Sequence, residues 1–138
     1  MGKTIVEYSG GMAFVGKVAS GHDVHMDGGE GSGGIDSAPR PVEILLSSLG
    51  GCTGMDVVSI LRKMKTEPKS LQIEIRDERA SEYPKVITKT HLIYRVQGEV
   101  PEENLIKAIE LSLAKYCPIA NTLRGVSEIT YECSVGVG

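Results

Sequence analysis

Three cysteines, Cys52, Cys117 and Cys133, have the widest chemical reach in this chain: nucleophilic attack, oxidation to sulfenic acid, disulfide exchange or metal binding. They are scattered, no CxxC occurs, and an odd number does not make the disulfide framework of a secreted domain. Each is therefore either a core thiol or a reactive one. Cys133 fits the first description, because it lies in an alternating strand pattern with Ile129, Tyr131 and Val135. Cys52 sits in "LGGCTGMDVV", where Gly50, Gly51 and Gly54 surround it although each glycine costs a helix roughly 1 kcal/mol relative to alanine. Small residues there strip bulk from around the sulfur, so that another helix can approach closely or a reactant can reach it. Cys117 precedes Pro118. With proline at the first helical position, the thiol becomes the N-cap of a short helix, where the dipole and the free N–H groups favour a thiolate. Two such cysteines on helices of one core fit a pair that forms a transient disulfide, and two unrelated core thiols fit the same residues equally well.

Other constellations carry less. Gly29-Glu30-Gly31-Ser32-Gly33-Gly34 matches G-x-G-x-x-G, but Asp36, Pro39 and Pro41 stand where a phosphate-binding helix would begin, and no βαβ unit follows. Asp23, His25 and Asp27 share one face of an extended strand, yet nothing in the sequence completes a metal shell, so they read as solvated strand residues. His22 and His91 have no distinguishing context.

The elements that must position the thiols follow from periodicity. "TIVEYS", "MAFVGKVA" and "HDVHMD" are short strands of an antiparallel meander. Residues 28–40 are rich in glycine and then flanked by proline, which predicts a mobile surface loop. From Pro41, with Glu43 in the first turn, apolar residues cover nearly the whole circumference as far as Met64, and Lys63, Lys65 and Pro68 close the segment: a central, buried helix. "LQIEIRDERA" and "KVITKTHLIYRVQG" make a hairpin around Ser81–Pro84. "PEENLIKAIELSLAKY" is an amphipathic helix broken at Cys117-Pro118, "PIANTLRG" adds a further turn or two, and "SEITYECSVGV" is a closing strand. The order β-β-β-α-β-β-α-β is that of an α+β protein with antiparallel sheets, read as one domain over residues 1–138. A small sheet and a nearly all-apolar helix have too little covering material within one chain, so a homodimer is expected.

Composition narrows the function. The 138 residues carry a formal charge of −3 with no Lys/Arg run, which argues against nucleic acid as a partner. The N-terminus lacks the apolar stretch and cleavage site of a signal peptide, Val6 stands where a myristoylation motif needs Ser or Thr, and the longest apolar run is far short of a bilayer span. A cytoplasmic protein without membrane contact is expected.

"PVEILLSSLGGCTGMDV" followed about 65 residues later by "YCPIANTL" resembles the OsmC/Ohr family of small thiol-dependent peroxidases, and the element order spans nearly the whole chain. The resemblance implies an OsmC-like, intertwined homodimer that reduces organic hydroperoxides. Cys52 would be the peroxidatic cysteine and Cys117 the resolving one, an external dithiol or lipoyl-type reductant would restore them, and no cofactor is implied. Family peroxidases carry a glutamate ten residues before the first cysteine and an arginine in the N-terminal strands. Here Val42 holds the glutamate's place, Glu43 follows it about 100° round the helix, and no arginine precedes Arg40. Arg40, with Glu43, and Lys17 are therefore the candidates to supply the charges, whereas Asp56, one turn after Cys52, would raise the thiol's pKa. The "GGCTGMDV" form is similar to the OsmC-like branch, which leaves an alternative: a non-catalytic ligand-binding or redox-sensing protein.

Overall fold

A computed structural model describes residues 2–137. The chain divides at Leu46/Ser47 into two compact units.

The first unit opens with three short strands, β1 (Ile5–Tyr8), β2 (Phe14–Lys17) and β3 (Asp23–Met26), paired antiparallel in sequence order. The register sets Tyr8 opposite Phe14, with ring centroids 5.4 Å apart, and Lys17 opposite Asp23, joined by a 3.0 Å ion pair. The glycine-rich segment that follows is knitted rather than mobile. Asp27 is buried and is the knot: Oδ1 accepts the amide of Gly28 at 2.7 Å, and Oδ2 accepts the Ser37 hydroxyl at 2.7 Å and the amides of Ser37 and Ile35 at 3.1 and 3.3 Å. The Ser37 bonds, then those of Gly28 and Ile35, hold its carboxyl down to a pKa of about 2. A 3-10 turn at Glu30–Ser32 and the bond from Gly34 N–H to Gly29 O at 2.9 Å fold the loop back on itself, so closely that a Cβ on Gly34 would lie 2.1 Å from Gly28 O. The expectation that Asp27 is a solvated strand residue is thereby corrected: its burial is tolerated because each oxygen finds N–H or O–H donors.

Helix α1 (Pro41–Lys63) starts in the first unit and runs on into the second. Pro41 at its first position needs no N–H partner, and Glu43 Oε1 accepts the Arg40 amide at 2.8 Å, the returning half of a capping box. Lys65, in the left-handed region at φ 61°, ends it, with the Thr66 amide bonding to Leu61 O.

The second unit contains strands β4 (Ser70–Arg79) and β5 (Ile87–Gln97), which form the expected hairpin, and β6 (Glu128–Gly136), which lies beside β5. β6 runs parallel to β5, so this sheet is mixed whereas that of the first unit is antiparallel. Between β5 and β6 come α2 (Glu102–Leu111), a π turn at Ser112–Tyr116 and α3 (Pro118–Leu123). The core joins Leu49, Val57 and Leu61 of α1 to Leu92, Tyr94 and Val96 of β5 and to Leu105, Ala108 and Ile109 of α2. Each such large aliphatic side chain contributes on the order of 1.5–3 kcal/mol on leaving water.

Two expectations about α1 change. It buries a single stripe, Leu49, Thr53, Val57 and Leu61 at intervals of one turn, while Met55 is 75% exposed. The apolar circumference is not covered by this one chain. In length and composition α1 would also suffice to cross a bilayer, the one such helix among the described residues. Counting uninterrupted apolar runs misses this, because glycines, serines and Thr53 break the run without adding charge.

Candidate functional site

Cys52 is half-buried on α1, and Cys117 is fully buried at the N-cap of α3. The Cys52 side chain lies near enough to Cys117 to raise its pKa, and both are free thiols. The local sequence explains each placement. Gly50 and Gly54 let α1 lie close to the hairpin: a Cβ would meet Ile75 Cδ1 at 3.0 Å and Ile73 Cδ1 at 3.2 Å. The neighbour at this glycine face is a sheet and not a second helix, and Gly51 has nothing within 4 Å of the place a Cβ would take.

At Cys117 the expected cap forms, with Sγ accepting the Ala120 amide at 3.4 Å ahead of Pro118. The expected low-pKa thiol does not follow. Burial pushes Cys117 up to about 11; the Ala120 bond pulls it down by less, and the neighbouring Cys52 thiol adds to the rise. A short helix's dipole is the smaller effect here because desolvation of a sealed thiolate outweighs it. Burial also raises Cys133, which packs against the core as expected of a structural thiol.

The sequence did not disclose a polar chain beside the pair. Tyr94 OH lies 2.8 Å from Thr53 Oγ1, Thr53 Oγ1 lies 2.7 Å from Ser112 Oγ, and Ser112 donates to Asp56 Oδ2 at 2.9 Å. Thr53, Tyr94 and Ser112 have no solvent exposure. Burial drives the Tyr94 hydroxyl's pKa upward, so it stays protonated and available as a donor. Asp56 thus takes up a buried serine. The π turn that begins at Ser112 closes at Cys117, whose amide bonds to Ser112 O at 2.8 Å, while Asn121 Nδ2 reaches the carbonyls of Leu113 and Cys117 at 3.2 and 2.8 Å. Only the alternation of Tyr94 with Leu92 and Val96 hinted at this chain, by placing a hydroxyl on an inward face.

Arg40 and Glu43 meet one another at the start of α1, in the first unit, whereas the two thiols belong to the second. The Arg40 guanidinium pairs with Asp36 and bonds to Ala38 O at 3.3 Å. It also lines an apolar recess of about 660 Å³ with Met12, Phe14 and Met26. Lys17 is held by Asp23. Among the described residues no cluster of His, Cys, Asp and Glu suits a metal ion.

The mixed α+β order, with Cys52 on a central helix and Cys117 ahead of Pro118, agrees with the resemblance to OsmC-like proteins carried by the sequence motifs. The family model for OsmC-like protein matches residues 31–132, and the chain belongs to that family. Protein YhfA of Escherichia coli K12 is 36% identical over 131 residues, covering 94% of this chain and 95% of its own. A hypothetical protein from Aquifex aeolicus VF5 is 28% identical in its crystal structure, with a TM-score of 0.82 over 99% of this chain and 98% of that one. The organic hydroperoxide resistance protein OhrB of Bacillus subtilis shares the fold at 15% identity, with a TM-score of 0.68 over 97% of this chain and 98% of its own.

Proposed function

We propose that the protein is a cytoplasmic thiol peroxidase that reduces organic hydroperoxides through Cys52 and Cys117. The observation that carries this reading is the placing of half-buried Cys52 near enough to sealed Cys117 to perturb its thiol. Cys52 is the one a peroxide reaches. Its sulfur bonds to the outer peroxide oxygen, the O–O bond breaks, and the organic part leaves as an alcohol once protonated. The resulting sulfenic acid condenses with the Cys117 thiol, forming an S–S bond and releasing water, and an external dithiol then exchanges with the disulfide and leaves oxidised.

The hydroperoxide resistance named for the B. subtilis protein supports the substrate class by kinship of fold. Arg40 and Glu43 are the proposed charged partners of the reaction. The exposed apolar side chains Val6, Tyr8 and Met55 support a homodimer in which a second copy covers them. A second reading, redox sensing without rapid turnover, draws on the ion pair that already engages Arg40. Consumption of cumene hydroperoxide with a dithiol separates the two: the enzyme turns over and Cys52→Ser does not, whereas a sensor oxidises once.

A further inference from the structure

We infer that Ser112 is a positioning residue that holds the two thiols in register, a role that rests on the thiol-pair reading above. Its backbone carbonyl accepts the Cys117 amide at 2.8 Å, the bond that closes the π turn immediately before that cysteine. Its fully buried hydroxyl is bonded to Thr53 at 2.7 Å and donates to Asp56 at 2.9 Å, and both residues lie on α1 within the turn that follows Cys52. One side chain therefore ties the backbone of Cys117 to the helix turn that carries Cys52.

The chain has a fixed direction. Ser112 has one hydroxyl proton and gives it to Asp56, so Thr53 donates to Ser112 and Tyr94 donates to Thr53. Four groups run head to tail from a phenol to a carboxylate, and such a series strengthens each member. Removing the Ser112 hydroxyl takes the acceptor from Thr53 and a donor from Asp56 together. A π turn is rare and poorly held by itself. Released from α1, the segment Ser112–Tyr116 can relax towards α register, which swings the following cysteine round the helix axis and away from its partner.

The readout is the equilibrium of the Cys52–Cys117 pair in mixtures of dithiothreitol and its cyclic disulfide, all in a Cys133→Ser background. The protein's two thiols give up two electrons and two protons and form one S–S bond, while the cyclic disulfide takes them up and opens to the dithiol. No peroxide takes part, so the outcome is independent of peroxidase activity. Ser112→Ala and Thr53→Val are expected to lower the disulfide-to-dithiol constant about fivefold, the loss of about one net hydrogen bond, and Thr53→Ser to restore it. Ser127→Ala, which breaks a bond of 2.8 Å to Thr90 between two equally buried hydroxyls, is expected to leave the constant unchanged. Where Ser112→Ala does not fold, Asp56→Ala at a half-buried position carries the same expectation, with Asp56→Asn, which keeps an accepting oxygen, as its rescue. A constant within about twofold of wild type in these variants, less than the effect of one hydrogen bond, overturns the role. So does an equal fall in Ser127→Ala, or a wild type that forms no disulfide between these cysteines.

Discussion

Half-open Cys52 on α1 lies near enough to the sealed N-cap of α3, Cys117, to raise its pKa. The asymmetry sets an order of reaction. Iodoacetamide at neutral pH is expected to modify Cys52 first and Cys117 hardly at all, read by peptide mass. Because burial raises Cys117 from the usual thiol value of 9.0 to about 11, its neutral form stabilises the fold below about pH 9, and that contribution is lost as pH rises towards 11. Alkylation of Cys117 should therefore appear only in that alkaline window, together with falling stability. Equal labelling of both thiols at pH 7 would contradict the assignment.

The first unit has its own acid limit. The Asp27 carboxyl is held down to about 2 against 3.8, so its bonds stabilise the loop above pH 4 and are lost as pH falls towards 2. Asp27→Ala, which removes both accepting oxygens, should abolish hydrogen-exchange protection of the Ile35 and Ser37 amides at neutral pH. Gly34→Ala meets backbone rather than a movable side chain and should cost about 2 kcal/mol or more in thermal unfolding.

Much of this was legible in residue types whose physics is local. The Cys-Pro cap needs only two neighbours in sequence, and the strands of the hairpin announce themselves by alternation. What stayed hidden depends on contacts between distant segments or on direction. Alternation says nothing of strand polarity, so the parallel pairing of β6 with β5 was not readable. Ser112 looked like one more residue of an amphipathic helix, and its bonds to Thr53 and Asp56 exist only once α1 and the π turn are packed. The glycine-rich loop read as mobile because the residue that orders it, Asp27, lies at the edge of the preceding strand. At Cys117 the cap was readable and the pKa was not, because burial is a property of the whole fold.

The uncovered apolar side chains are the ground for the proposed self-association. Light scattering at micromolar concentration is expected to give a dimer for the wild type. Met55→Glu, at a residue 75% exposed in the single chain, should shift it to monomer with the fold retained. A wild-type monomer would remove the proposed homodimer.

Arg40→Ala tests the charge proposed to activate Cys52. The first oxidation step should slow about tenfold, as the loss of about 1.4 kcal/mol of transition-state stabilisation would produce, with the circular dichroism spectrum unchanged. An unaltered rate would assign Arg40 to the loop alone, through Asp36 and Ala38.

The proposed chemistry, oxidation of one thiol by a hydroperoxide and closure of the other upon it, is read in both parts by a single-turnover experiment. One equivalent of cumene hydroperoxide is added to the fully reduced protein without a reductant, and the products are mapped by mass spectrometry after rapid alkylation. The wild type should lose two hydrogens and yield one linked peptide pair, Cys52 to Cys117, with Cys133 alkylated. Cys117→Ser should stop at a sulfenic acid on Cys52, and Cys52→Ser should consume no peroxide. A wild type that leaves the peroxide intact, or that joins Cys133 instead, would rule out a peroxidase built on Cys52 and Cys117.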